Sequence, residues 1–156
     1  MSLLTLVASF GVAFFLQLIA MPAWAEPLRP DWPALVLMYW ALALPQRIGP
    51  GVGWLVGLWL DLARATTLGT HALASAVLAY VVVRFHLRVR SFRWWQQALV
   101  VFVLLFLYRA LVSWIRAFLG DFRPDHTYWY APLTGALLWP WLFIVLRDLR
   151  RYTRLA

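Results

Sequence analysis

A chain of 156 residues that is 64% hydrophobic and only 13% charged cannot hide its apolar surface in a water-soluble fold, where about half the residues are apolar and about a quarter charged. It contains no cysteine, which excludes disulfides and thiolate metal sites. The net charge of +8 comes from fourteen arginines, with no lysine, against six acidic residues; the arginines lie mostly in short gaps between apolar runs, as topology determinants do and nucleic-acid surfaces do not.

The expected architecture is an all-α membrane protein, a single polytopic domain over residues 1–156 with about six transmembrane helices. The first apolar segment is Leu3–Trp24, closed by Pro22 and Pro27. Ala23-Trp24-Ala25 has the form of a signal-peptide cleavage site, but Met1 and Ser2 give no basic leader. The apolar run of about 20 residues is also long enough for ~30 Å of hydrocarbon, so it reads as a retained helix. The second segment, Trp32–Leu44, is bracketed by Pro30, Pro33 and Pro45, and the third runs from Val52 to about Ala65 after the Gly49-Pro50-Gly51 turn. The fourth is Leu68–Phe85, the fifth is Gln97–Leu119 before Gly120, and the sixth is Tyr128–Leu146, followed by the basic tail Arg147–Ala156. Each must be helical, because an unpaired backbone group in hydrocarbon costs several kcal/mol. Segments two and three reach only ~20 Å. As a re-entrant hairpin they would put Arg47 inside the bilayer at a cost of ~2.5 kcal/mol or more; two short spans in a locally thinned bilayer fit better.

Arginine counting orients the chain with both termini in the cytoplasm. The inside gaps then carry Arg47, Arg84, Arg88, Arg90, Arg93, Arg147, Arg150, Arg151 and Arg154, and the outside gaps only Arg29, Arg64 and Arg123. The acids Glu26, Asp31, Asp121 and Asp125 fall outside.

In segment three Gly53, Gly57 and Asp61 are four apart and share a helix face, where small residues let another helix approach closely. Segment four carries a second set, Gly69, Ala72, Ser75, Ala76 and Ala79. One face is expected to seal segments three and four together and the other to receive a partner's membrane helix, unless both serve internal packing. Asp61 and Arg109 lie at matching depths, eleven residues after Pro50 and twelve after Gln97, each ~16–18 Å in. Intramembrane charges demand a partner, and the two are expected to pair. Alternatively Arg109, with Arg116 one face-repeat on, meets an acid on a partner helix, or Asp61 reaches the outer interface. The stretch Arg84–Trp95, with Arg84, Arg88, Arg90 and Arg93, joins the tail arginines Arg147, Arg150, Arg151 and Arg154 in a basic surface. Anionic lipid would attract each arginine by about 1 kcal/mol, and Trp94 and Trp95 suit an interfacial belt; docking of an acidic cytoplasmic partner is the other reading. His71, His86 and His126 stand alone, without a nucleophile elbow, an HExxH pair or a phosphate loop, and only Asp125-His126 juxtaposes two metal-binding side chains. The chain reads as no enzyme, with no catalytic residue, cofactor or metal. A carrier-like or small-ligand-binding protein is the alternative, although no internal repeat or pair of broken helices supports it.

The stretches Leu28-Arg29-Pro30-Asp31-Trp32-Pro33 and Tyr39-Trp40-Ala41-Leu42-Ala43-Leu44-Pro45 resemble the MreD family of rod shape-determining proteins of Gram-negative bacteria. So do Gly57-Leu58-Trp59-Leu60-Asp61-Leu62 with Thr67-Leu68-Gly69, Trp95-Gln96-Gln97-Ala98-Leu99-Val100-Val101, and Gly135-Ala136-Leu137-Leu138-Trp139-Pro140-Trp141. Together they span nearly the whole chain in order; Leu107 to Thr127 matches least, so Arg109 and Arg116 inherit no role. The resemblance implies a non-enzymatic inner-membrane subunit of the cell-elongation (rod) complex, which scaffolds peptidoglycan synthesis and controls cell shape. It implies as partners an MreC-like protein, an MreB-like filament, and a RodA-like glycosyltransferase with its penicillin-binding transpeptidase. It also implies a six-helix fold like that of the substrate-binding subunits of energy-coupling-factor transporters.

Overall fold

The computed structural model describes residues 3–19, 31–45, 48–64, 69–118 and 129–155. These form seven helices: α1 Leu3–Leu18, α2 Trp32–Ala43, α3 Pro50–Arg64, α4 Thr70–Arg84, α5 His86–Arg90, α6 Trp94–Phe118 and α7 Tyr130–Leu155.

Helix α2 has no polar side chain on any face except Tyr39 and the indoles of Trp32 and Trp40, and a helix apolar all round belongs inside. Every residue from Pro33 to Leu42 is buried, and α2 touches α1, α4, α5 and α7. Pro33 is tolerated because the first turn has no intrahelical acceptor for its missing N–H. Two polar contacts between α1 and α2 are buried or nearly so: Trp40 Nε1 donates to Ser9 Oγ at 2.9 Å, and Trp32 N donates to Gln17 Oε1 at 3.2 Å. The closest-knit pair is the α3–α4 hairpin, followed by α6 against α7. At the end where α5 meets α6, Gln97 links three elements: its Nε2 donates to Val89 O at 3.1 Å and its Oε1 accepts from Trp139 Nε1 at 3.3 Å.

The expectation of about six transmembrane helices is corrected. Among the described residues only α6 and α7 are long and apolar enough to cross a membrane. At 1.5 Å per residue, their 25 and 26 residues reach about 37 and 39 Å, beyond the ~30 Å of hydrocarbon. Helices α1 to α4 have 16, 12, 15 and 15 residues, about 18–24 Å, and fall short. The expected likeness to energy-coupling-factor substrate-binding subunits rested on six spans and goes with them. Two boundaries also move. The arginine gap before segment five is partly helical, as α5, and the basic tail continues α7 as far as Leu155.

The exterior is apolar. Phe15, Leu55, Trp59, Leu73, Leu99, Trp114, Phe118 and Leu137 are all more than half exposed. Apolar surface on this scale is a liability in water and is normal against lipid, so the protein is membrane-associated.

Candidate functional site

The α3–α4 seam is built on glycine. A Cβ on Gly53 would lie 2.6 Å from Ser75 O and 2.9 Å from Ala79 Cβ, and one on Gly57 would run into the backbone of His71 and Ala72. Only hydrogen fits at either position. Gly53 and Gly57 therefore meet the α4 face that carries Ala72, Ser75 and Ala79, all buried, whereas Ala76 is only half-buried and turned toward the exposed Leu73, Val77 and Tyr80.

Asp61 closes this hairpin at its far end. Helix α4 begins after Gly69, which has φ +100° and no side chain to cap the orphan N–H groups of the first turn. Asp61, fully buried, supplies the missing acceptor from α3. It accepts from Gly69 N at 3.0 Å, His71 N at 3.0 Å, Ala72 N at 3.3 Å and His71 Nδ1–H at 2.7 Å. A carboxylate offers about four lone-pair sites, so these donors fill it, and the positive end of α4 favours its charge. The buried His71 ring lies tilted against Tyr108 of α6 at 6.4 Å.

Arg109 engages a different acid. Its Nε donates to Asp31 Oδ2 at 2.8 Å and its Nη2 to Asp31 Oδ1 at 3.0 Å, a two-pronged bond with both side chains at most 14% exposed. The expected Asp61–Arg109 pair is thereby corrected: Asp61 is held by the α4 terminus and His71, and Arg109 by Asp31. Matching depth along two helices did not decide the pairing, because α4 starts beside Asp61. Asp31, directly before Trp32-Pro33, reads as the N-cap of α2, yet its side chain makes no capping bond and is left for Arg109. Arg116 lies half-buried in the last turn of α6, where the negative end of the helix favours a cation.

Arg84, Arg88, Arg90, Arg93 and Arg151 are exposed, while Arg147 and Arg150 are half-buried. The side chain of Arg154 lies outside the described residues, as do Ala23-Trp24-Ala25, Arg29, Arg47, Arg123 and the pair Asp125-His126. Among the described residues no three His, Cys, Asp or Glu side chains come together as a metal site would need. Ser9, Gln17, Gln97 and His71 as polar ties escaped the sequence reading; the one available signal was the pairing of isolated polar residues with tryptophans inside apolar segments.

The sequence profile of the family described as "rod shape-determining protein MreD" matches residues 1–149. The rod shape-determining protein MreD of Haemophilus influenzae (strain ATCC 51907 / DSM 11121 / KW20 / Rd) is 37% identical over 157 aligned positions, which cover 97% of this chain and 93% of the relative. The chain belongs to the MreD family. An MreD is a non-enzymatic membrane subunit of the rod, or cell-elongation, complex, and the saturated Asp61 fits a structural part in it. No solved structure matches the chain.

Proposed function

We propose that this member of the MreD family is an assembly subunit of the bacterial inner membrane, a single multi-pass domain over residues 1–156 with both termini cytoplasmic, which positions wall-synthesis enzymes during elongation. One observation carries the reading. The buried Asp61 and the half-buried Arg109 are engaged within the chain, which leaves apolar helix faces and an arginine-bearing end as the surfaces open to others. Within the membrane the partners are an MreC-like protein and a RodA-like glycosyltransferase with its penicillin-binding transpeptidase. The α4 face around Ala76, with Leu73, Val77 and Tyr80 exposed, is the candidate contact for a single partner helix. On the cytoplasmic side the partners are an MreB-like filament and anionic lipid, met by the two arginine segments. These segments flank the α6–α7 hairpin, so the positive-inside bias puts both in the cytoplasm and residues 119–129 on the opposite side.

The test is affinity purification of the full chain in mild detergent. Stoichiometric recovery of an MreC-like protein is expected, and its loss on Ala76→Leu at unchanged protein abundance would locate the contact. Recovery of the protein alone, from cells in which the elongation proteins are abundant, rejects the assembly reading.

A further inference from the structure

At the arginine-bearing end, residues of α2, α5, α6 and α7 enclose a half-open cavity of 140 Å³, in which Tyr39, Arg90, Gln97 and Arg150 stand beside the apolar Leu42 and Phe143. Two of the polar groups are built in. Tyr39 is 1% exposed, and its ring is fixed edge-on by Trp40 and Phe143, with centroids 5.1 and 5.4 Å away. Tyr39 belongs to the cavity lining, and the charges that act on it are Arg150 and Arg147, opposed by Asp148. Gln97 is 7% exposed; Trp139 holds its oxygen and Val89 O takes one hydrogen of its amide nitrogen. An amide nitrogen has two hydrogens, so the other remains for a ligand.

A phenol, an amide N–H and two guanidinium groups form a donor set, and no carboxylate is among the described residues that line the cavity. An anion is the complementary ligand, and the arginine fork matches the oxygens of phosphate. The volume is well under the roughly 300–1,000 Å³ of pockets that enclose a whole small molecule, so the cavity takes a group rather than a cofactor. Trp94 and Trp95, both exposed at the start of α6, mark the level of a membrane interface. We propose that this cavity binds the phosphate group of an anionic phospholipid, with Tyr39 and Gln97 as hydrogen-bond donors and Arg90 and Arg150 as counter-charges. The inference deepens the proposed attraction of the arginine segments to anionic lipid by giving it a defined site.

Native mass spectrometry of the full chain in neutral detergent tests it, with phosphatidylglycerol as the probe and diacylglycerol of the same acyl chains as the phosphate-free comparison. Phosphatidylglycerol is expected to bind and diacylglycerol not. Tyr39→Phe keeps the ring and its packing, so an unchanged unfolding temperature confirms the fold. It is expected to weaken phosphatidylglycerol about tenfold, the usual effect of one hydrogen bond to a charged group. Arg90→Gln should weaken it by a similar factor, whereas Arg93→Gln, on an exposed arginine outside the cavity, should leave it within about twofold. Equal losses in Arg90→Gln and Arg93→Gln with Tyr39→Phe silent would show diffuse attraction and overturn the site. Displacement of the lipid by millimolar inorganic phosphate would assign the cavity to free phosphate and overturn the lipid source. Either failure leaves recovery of an MreC-like protein unaffected, so it is separable from failure of the assembly reading.

Discussion

Asp61 holds a buried contact and Arg109 a partly buried one, and a double-mutant cycle distinguishes their partners. Removing one member of a buried charged pair leaves the other uncompensated and costs ~3–5 kcal/mol. Asp31→Asn and Arg109→Gln are therefore expected to couple by about 0.5–3 kcal/mol in thermal unfolding of the detergent-solubilised protein, whereas Asp61→Asn and Arg109→Gln should couple less. Larger coupling in the second cycle would return the pairing to Asp61. Ser9 is a second case. It accepts from the fully buried Trp40 indole, so Ser9→Ala leaves an N–H without a partner inside the protein and should cost about 1–3 kcal/mol, read as a lower unfolding temperature. At this scale the sequence showed which residues were unusual but not their partners. Asp61 and Arg109 stood out as charges in apolar runs, while the amides that hold Asp61 belong to a helix start whose position depends on the hairpin.

The α3–α4 hairpin exists because its two small-residue faces meet, and Gly53 and Gly57 of α3 have no room for a side chain. Gly57→Ala already drives a methyl group into the backbone of His71 and Ala72. It should lower abundance and cost more than the ~1–3 kcal/mol of ordinary overpacking, as measured by membrane yield and unfolding temperature. Ala76→Leu, on the half-buried side of α4, should leave both unchanged. Equal loss of abundance in the two variants would make the whole α4 surface internal packing. The four-residue spacing of Gly53, Gly57 and Asp61 was legible because a helix repeats nearly every fourth residue. Which of the two small faces would be consumed was not, since either could meet the other or a partner until the hairpin set the rotation of α4 about its axis.

Across the whole molecule, the α6–α7 hairpin and its flanking arginines make a topological prediction. With α6 and α7 as spans and the positive-inside bias, cysteines introduced at Ser91 and Thr153 should react with an impermeant thiol reagent from the cytoplasmic side, and one at Thr127 from the opposite side. Labelling of Ser91 and Thr127 from one side would rule out α6 as a span. Composition alone determined that the protein is helical and meets lipid, because 64% hydrophobic residues cannot be buried in so short a chain and backbone in hydrocarbon must be internally bonded. The punctuation by proline and glycine located the helices, and the ordered runs of residues carried the likeness to the MreD family. Helix length against membrane thickness was over-read, because an apolar run in sequence includes loop and cap residues that do not extend the helix; α2 shows the consequence, a run expected to cross or re-enter the bilayer that instead forms the buried centre of the packing. Tertiary structure alone decided which charges pair, which small faces close on each other, and which polar groups gather around Tyr39. Those outcomes depend on the rotation and offset of each helix against its neighbours, which the one-dimensional pattern of side chains constrains only to a face.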